Sequence, residues 1–257
     1  PYRHRRQVTH RATDRPQRPR EEQLAVSGAL ARAVEHSVSD SGLRPVRWTL
    51  ELCRVATMDP CRAVVRVVRS GRRIHLVEAD LMQGSTLVAT ARALFSRPDP
   101  DVATAEVWAP QSELQPPPIG LCPGTDEPRL HYRDGEGWVA TPATEHTGSR
   151  KVMWVLGVPI VEDEKLSAFQ FAASAADVAS VVGNWGNAGM QFINADVTLA
   201  LTRLPHELEI GLAASDRVED DGISTSTVTV FDRSGTLGTV VITAVANVRA
   251  TVDPRMR

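Results

Sequence analysis

Apolar and polar side chains alternate regularly in two stretches of the chain. The apolar positions are Leu87, Ala89, Ala91, Ala93 and Phe95 in the first stretch, and Val240, Ile242, Ala244, Ala246 and Val248 in the second. A period of two places successive side chains on opposite faces of a strand. Each stretch therefore predicts a β-strand that packs one face against a core.

Glycines in front of these stretches mark a repeat. The segment "RRIHLVEADLMQ" lies between Gly71 and Gly84, and "ISTSTVTVFDRS" lies between Gly222 and Gly235. The two glycines are thirteen positions apart in both cases, and the two pairs are offset by 151. Because glycine supplies the backbone geometry of tight turns, each block predicts strand, turn, strand. The common spacing and phase favour a duplication over a chance match.

Each half also predicts one long helix ahead of these strands. Glu21 to Glu35 has small and apolar residues at helical spacing and acidic residues at its start. Ser167 to Val182 begins with the capping box Ser167–Gln170 and is followed by Gly183, which predicts the stop. The fold class is therefore predicted as α+β, with a long helix against a curved antiparallel sheet, twice.

Prolines predict the boundary between the two halves. Residues 97–129 contain eight prolines and no sustained apolar period, which is typical of a linker. We therefore predict an Arg-rich N-terminal segment at 1–20, a first half at 21–97, a linker at 98–129 and a second half at 130–257. The basic segment lacks the apolar stretch of a secretory signal and is interpreted as a solvated tail, although its charge would also suit an anionic phosphate.

Composition bears on whether the protein binds nucleic acid, a membrane or a metal. A net charge of −2 gives no reason to expect nucleic acid, and no run of about eighteen apolar residues predicts a membrane span. The three cysteines, Cys53, Cys61 and Cys122, have neither metal-site spacing nor an even pairing pattern. They predict free thiols in a reducing cytoplasm, with no metal and no cofactor.

Four segments together resemble a known family. They are "VRWTLELCRV" (46–55), the stretch from Val68 to Phe95, "FINADVTLALTRLP" (192–205) and the stretch from Met153 to Ser180. Their order and spacing resemble acyl-CoA thioesterase II and its thioesterase-like relatives, which have two hotdog folds in one chain. The resemblance implies a double hotdog fold, hydrolysis of an acyl-CoA or acyl-carrier thioester in cytoplasmic lipid metabolism, and a homo-oligomer. It implies no cofactor, because a carboxylate, a hydroxyl and a Gln amide hold and polarise a water in this family.

The chain has candidates for the carboxylate and hydroxyl positions of the family. Asp196 in "INADVTL" matches the family's carboxylate, and the hydroxyl position falls at Ser215, Asp216 or Arg217. Asp216 is the first choice by counting, and Ser215 would preserve the chemistry with a slip of one residue. Since such a slip turns a side chain to the other face of a strand, only one of them is expected to serve.

The Gln position departs from the family. No Gln follows Gln191, and the position falls at Ile242, Thr243 or Ala244. Thr243 is the polar choice, and its hydroxyl would orient a water.

The start of the first helix departs as well. Relatives often carry His-Gly-Gly there, where this chain has Glu22-Gln23-Leu24. A leucine in place of glycine removes the close backbone approach, and Gln23 is the candidate amide donor toward the substrate. Arg203 and the basic N-terminal segment are the candidates for the CoA phosphates. Asp177, inside the second helix, is interpreted as a buried hydrogen-bonding group that braces the sheet.

These residues support two hypotheses about function. The first is an acyl-thioester hydrolase in which Asp196 activates the water and the acyl chain lies in an apolar channel between the halves. The second is a thioesterase-like protein that binds acyl thioesters or hydrophobic biosynthetic intermediates without hydrolysing them, or that was repurposed for another reaction.

Overall fold

Two helices and fourteen strands make up the described part of the protein. The computed structural model describes residues 7–9, 19–38, 42–102, 106–108, 114–121, 129–140 and 147–250. The helices are α1 (Pro19–Ser37) and α2 (Ala168–Asn184). The strands are β1 (Gln7–Thr9), β2 (Arg44–Leu52), β3 (Cys61–Ser70), β4 (Ile74–Gln83), β5 (Thr86–Ser96), β6 (Arg129–Arg133), β7 (Gly137–Val139), β8 (Val152–Leu156), β9 (Trp185–Gly186), β10 (Gly189–Met190), β11 (Phe192–Leu201), β12 (Glu209–Asp220), β13 (Ile223–Asp232) and β14 (Gly235–Ala246), followed by a 3-10 helix at Val248–Ala250.

Twelve of the described strands form one antiparallel sheet. Their order is β1-β3-β4-β5-β2-β11-β14-β13-β12-β8-β6-β7, and β9 and β10 form a separate two-stranded hairpin. Strand β2 pairs with β11 between Glu51 and Asp196 at one end and Arg47 and Ala200 at the other. This pairing joins the strands before the Pro-rich stretch to those after it, so the hydrogen-bonded ladder is continuous.

The two helices lie side by side on the same face of this sheet. Helix α1 contacts β3, β4 and β5, whereas α2 contacts β8 and β11 to β14. They approach closely at Gly28, where an added Cβ would lie 2.4 Å from Ile160 and 2.5 Å from Ser174. Densely packed interiors leave little room for such an atom, so Gly28 sets the helix spacing.

Polar contacts also tie the two helices together. Ser27 donates to the carbonyl of Ala173 at 2.7 Å. The carboxylate of Glu35 accepts hydrogen bonds from the Ser167 hydroxyl and the Gln170 side-chain amide, at 2.8 Å each to Oε2. Because these groups are partly buried, leaving one of them without its partner would cost about 1–3 kcal/mol.

The predicted hairpins are present. Strands β4 and β5 turn at Gly84 and β13 and β14 turn at Gly235, with φ of 59° and 119°. The predicted apolar faces are buried except toward their ends, where Leu87 is 37% exposed, Ala246 is exposed and Val248 is 62% exposed. Val248 leaves the core because β14 ends at Ala246 and the chain enters the 3-10 helix.

Helix α2 has its predicted N-cap at Ser167 but only half of the predicted capping box, since the Gln170 side chain bonds Glu35 instead, and its predicted stop is wrong. The Ser167 side chain accepts from the Gln170 N–H at 3.1 Å. Gly183, however, lies inside the helix, which ends at Asn184. An added Cβ at Gly183 would lie 2.3 Å from the Ser226 hydroxyl, so this glycine lets the last turn of α2 approach β13.

Candidate functional site

The first pair of predicted residues lies on the face of the sheet opposite the helices. Asp196 in β11 is paired with Thr243 in β14, and the Thr243 N–H donates to Asp196 Oδ1 at 3.1 Å. Their neighbours Val197 and Ile242 are buried in the core. Since side chains alternate along a strand, half-buried Asp196 and Thr243 point away from that core.

A β-bulge directly before Asp196 changes which side chains of strand β11 point toward the helices. The register with β14 shifts between Asn194 and Asp196, so Ala195 is the extra residue. Asn194 therefore points toward the helices, where its side-chain amide donates to Asp177 Oδ1 at 2.6 Å.

Asp177 is the buried brace that the sequence predicted. It lies in α2 and is 5% exposed. Burial raises its pKa from the ordinary 3.8 to about 6, and the hydrogen bond from Asn194 opposes this shift. An acidic residue among Ala and Val in a helix was the sequence signal for this position, whereas nothing in the sequence indicated Asn194 as its partner.

Ser215 and Asp216 lie together at a second bulge, in β12. The register with β13 shifts between Ala214 and Asp216, which makes Ser215 the extra residue. Its hydroxyl is 2.6 Å from the Thr229 hydroxyl, and Asp216 Oδ1 accepts from the Arg217 N–H at 2.8 Å. Both residues line the same cavity. The expectation that only one of them could serve assumed that neighbouring side chains point to opposite faces of the strand, and the bulge interrupts that alternation.

This cavity has a volume of 510 Å³ and lies beside an open edge of the sheet. Strand β8 pairs with β12 only as far as the pair Val152 and Ala213. The Ala214 N–H still donates to the Lys151 carbonyl at 3.0 Å. Beyond Ala214, the edge of β12 is faced by residues 148–151, by the end of α2 and by the hairpin of β9 and β10. A second cavity of 300 Å³ is lined by β6, the turn after it and residues 147–152.

Polar groups extend from the wall of the larger cavity into the core. Asn184 Oδ1 accepts from Arg217 Nε at 3.3 Å and from the Ser224 hydroxyl at 3.1 Å. The guanidinium of Arg217 lies 4.9 Å from the centroid of the Phe192 ring and donates to Glu219 at 3.0 Å. The Nδ2 of buried Asn184 has no hydrogen-bond partner among the described residues. No sequence pattern indicated this cluster, because its members come from α2, β11, β12 and β13.

The structure does not bring the four predicted catalytic residues to one place. Thr243 pairs with Thr225, which pairs with Val218, so Asp216 lies two strands away and two residues along. Asp196 and Thr243 line neither of the two cavities. The described residues thus hold an Asp196–Thr243 pair and, separately, a Ser215–Asp216 cavity.

The structure describes the side chain of one of the two predicted substrate-binding residues, Arg203, and not that of the other, Gln23. Arg203 donates to both carboxylate oxygens of Asp232, at 2.6 and 2.7 Å. Burial alone would raise the pKa of Asp232, but hydrogen bonds from Arg203 and the Ser234 N–H outweigh it and hold that pKa below its usual range. Arg203 is therefore engaged inside the protein. Gln23 belongs to α1, but its side chain lies outside the described residues.

Other predictions from composition concern metals, thiols and membranes. Within the described ranges, no group of three or more His, Cys, Asp or Glu is placed to hold a metal ion. Cys53 and Cys61 are free thiols, burial raises the pKa of Cys61, and Cys122 lies outside the described residues. Neither helix is long and apolar enough to cross a membrane.

Comparison with known proteins agrees with the resemblance predicted from the sequence. Residues 25–96 match the family of the acyl-CoA thioesterase N-terminal domain. These residues comprise most of α1 and all of β2 to β5. The predicted resemblance to the acyl-CoA thioesterase II superfamily is confirmed. No curated protein matches the chain.

Solved structures show the fold over nearly the whole chain. An acyl-CoA thioesterase II of Mycobacterium marinum has a TM-score of 0.64 at 15% identity, over 89% of this chain and 90% of that one. The tesB protein of Mycobacterium avium subspecies paratuberculosis has a TM-score of 0.60 at 16% identity, over 86% and 85%. A conserved protein of unknown function with a hotdog fold from Alicyclobacillus acidocaldarius has a TM-score of 0.58 at 16% identity, over 88% and 86%. The chain therefore has a hotdog fold.

Proposed function

We propose that this protein is an acyl-thioester hydrolase that acts on acyl-CoA. The observation that carries the proposal is the match of residues 25–96 to the acyl-CoA thioesterase N-terminal domain. That segment forms most of α1 and all of β2 to β5, in a fold whose solved neighbours include proteins named as thioesterases. Since one fold hosts many functions, the activity has to be tested on this chain's own residues.

The proposed architecture is a double hotdog of two tandem halves. Residues 21–97 would form the first half and 130–257 the second, with 98–129 as the connection and 1–20 as an N-terminal segment. Three features support it: α1 and α2 each pack on their own set of strands, the two hairpins turn at equivalent glycines, and β2 pairs with β11. Among the described residues of the proposed connection, Arg129 alone belongs to a helix or strand, as the first residue of β6.

The proposed chemistry uses Asp196 as a general base. A water would attack the thioester carbonyl carbon and pass its proton to the carboxylate, and the electron pair of the broken C–S bond would leave with the CoA sulfur. The half-buried position of Asp196 suits this role, because water can reach it while the Thr243 N–H holds one oxygen in place. Thr243 and the cavity residues Ser215 and Asp216 are the candidates for orienting that water.

A second candidate function is binding of acyl thioesters, or of hydrophobic biosynthetic intermediates, without hydrolysis. One observation favours it: Asp196 lines neither cavity, and Ser215 and Asp216 lie elsewhere. A base, a hydroxyl and a substrate cavity that are separated in space would leave the thioester unattacked. A fold retained for binding, or repurposed for another reaction, fits that arrangement.

Thiol release from acyl-CoAs of increasing chain length separates these possibilities. If Asp196 is the base, Asp196→Asn should lower kcat by about 100-fold or more. Glu51→Gln is the matched control, because Glu51 is an exposed carboxylate paired with Asp196 on the next strand. It should retain activity.

Three other outcomes would change the assignment. A loss of activity in Asp216→Asn with normal activity in Asp196→Asn would move the base to the cavity. Equal losses in Asp196→Asn and Glu51→Gln would indicate a general effect of charge on that face. No turnover at any chain length, with saturable binding of acyl-CoA, would establish the second candidate function.

Assembly and location stay predictions of this proposal. We propose a homo-oligomer that acts in cytoplasmic lipid metabolism, and sedimentation of the purified protein tests the assembly directly. A single species at the mass of one chain across the concentration range would refute the oligomer.

A further inference from the structure

The two cavities described above share part of their lining, and we call the surface that they make together the groove. Ser149, Arg150, Lys151 and Trp185 line both of them. This groove runs from the bulge of β12, across residues 148–151, to strand β6 and its turn. The residues common to both cavities form its middle.

Two cations lie at this middle, Arg150 and Lys151, and neither has a carboxylate partner among the described residues. The Lys151 ammonium donates to the carbonyl and hydroxyl of Thr147, at 2.9 and 3.0 Å, and to the carbonyl of Ser149 at 2.7 Å. All three acceptors are neutral, so they fix the ammonium without cancelling its charge. Burial lowers the pKa of Lys151, as expected for a cation that lacks a counter-charge. Exposed Arg150 makes no hydrogen bond or ion pair with any described residue.

Carboxylates also line the groove, but toward its two ends. They are Asp134, Glu136, Asp216 and Glu219. Glu219 is paired with Arg217 at one end, and Glu136 with Arg133 at the other. Asp216 accepts from the Arg217 N–H. The cations of the groove that lack a carboxylate partner among the described residues therefore lie at its middle, and its carboxylates lie at the ends.

An exposed aromatic ring lies in the smaller cavity. Tyr132 is 43% exposed, and its ring contacts Trp138 edge to face with the centroids 5.6 Å apart. An aromatic face held in this way is suited to stacking against a base. Along the groove the order is thus an aromatic ring, two cations, and the hydroxyl and carboxylate of Ser215 and Asp216.

We propose that the groove binds the ADP portion of acyl-CoA. The phosphates would lie at Arg150 and Lys151, the adenine against Tyr132, and the pantetheine arm along the 510 Å³ cavity toward Ser215 and Asp216. A guanidinium free of other partners matches phosphate oxygens in geometry and charge. This inference rests on the proposed function and names the part of the substrate that the groove recognises.

The test compares three thioesters of the same acyl group: acyl-CoA, acyl-phosphopantetheine and acyl-pantetheine. Arg150→Met should raise the KM for acyl-CoA about tenfold, because it removes charge-assisted contacts to phosphate. The KM for acyl-pantetheine, which has no phosphate, should stay within the spread of the control. The control is Arg72→Met, which removes an exposed arginine from the turn before β4.

A second cation and the aromatic ring sharpen the assignment. Lys151→Met should act in the same direction as Arg150→Met, and Lys165→Met is its control, since Lys165 is exposed and is the other lysine of the chain. Tyr132→Ser should raise the KM for acyl-CoA but leave that for acyl-phosphopantetheine unchanged. If Tyr132→Ser is silent and Arg150→Met affects both phosphorylated substrates equally, the ADP assignment is overturned in favour of a protein-bound phosphopantetheine.

Binding of CoA itself, measured by calorimetry, makes the inference independent of turnover. CoA binding that is weakened about tenfold in Arg150→Met supports the groove, even if the protein hydrolyses nothing and the proposed hydrolase fails. Equal CoA affinity in the wild type, Arg150→Met and Arg72→Met overturns the groove, whether or not thiol is released.

Discussion

Asp177 lies in the middle of α2, and its side chain is removed from solvent. Among the described residues, its carboxylate has one polar contact, the 2.6 Å hydrogen bond from the Asn194 amide, and no cation. Burial of a carboxylate disfavours its charged form, which is why its pKa rises to about 6. Replacing Asp177 with Asn keeps the shape and an acceptor for Asn194 but removes the charge.

The sign and size of the effect follow from this pKa. Between the unfolded value of 3.8 and the folded value of about 6, the native state binds more protons than the unfolded state. The free energy of unfolding of the wild type therefore falls as the pH rises through this window, by about 3 kcal/mol in all. The Asp177→Asn variant does not lose this free energy, because an amide does not ionise. Its gain over the wild type should be about 1 kcal/mol at pH 4.5 and about 3 kcal/mol at pH 7.5.

Urea unfolding followed by tryptophan fluorescence at several pH values measures this difference. Asp134→Asn is the control, because Asp134 is exposed in the turn between β6 and β7 and should show no such change with pH. A gain for Asp177→Asn that does not vary between pH 4.5 and 7.5 would refute the reasoning. So would a variant that is less stable than the wild type at pH 7.5, because the ionised carboxylate would then be needed by the fold.

Three further substitutions test the contacts that hold strands β11 and β14, the two helices, and the Arg203–Asp232 pair together. Gly238→Ala should lower the free energy of unfolding by about 1–3 kcal/mol, because the new Cβ would lie 1.9 Å from the Ala200 carbonyl oxygen. Glu35→Ala should lower it by about 1–3 kcal/mol by removing the acceptor at the start of α2. Arg203→Met should cost about 3 kcal/mol at pH 7 by leaving Asp232 buried and unpaired, with less cost as the pH falls and Asp232 is protonated. Its KM for acyl-CoA should not change, since Arg203 is already occupied.

Denaturant unfolding of each variant checks the three stabilities. Gly84→Ala is a useful comparison for Gly238→Ala, because nothing lies within 4 Å of an added Cβ at Gly84 and its cost would come from backbone strain alone. A raised KM for acyl-CoA in Arg203→Met would return that residue to the substrate site. Wild-type stability in Glu35→Ala would mean that small residues such as Gly28, rather than hydrogen bonds, hold the helices together.

Local patterns were sufficient for the two helices and for strands β4, β5, β13 and β14. Period-two alternation depends only on the strand itself, and glycine at a turn depends only on the turn, so the hairpins at Gly84 and Gly235 could be predicted directly. The Ser167 cap followed from the same kind of local chemistry. The family resemblance added the hotdog fold and the candidate positions, because order and spacing along the chain survive where identity does not.

The candidate site depended on features that no local pattern contains. Each bulge, at Ala195 and at Ser215, adds one residue and changes which side chains point to the core, and it forms only against its partner strand. Asp196 therefore points away from the helices, whereas the Asn194 amide donates to Asp177. No sequence pattern predicted this hydrogen bond.

The groove shows the same division between local and distant contributions. Arg150 and Lys151 follow a stretch that predicts no element, and they meet β12 only where β8 ends and leaves an edge open. The sequence by itself determined the two hairpins, the two helices and the family that they resemble, because these follow from the order of residues along the chain. Only the tertiary structure decided which polar groups share a cavity, because that depends on bulges and strand ends set by contacts between distant segments.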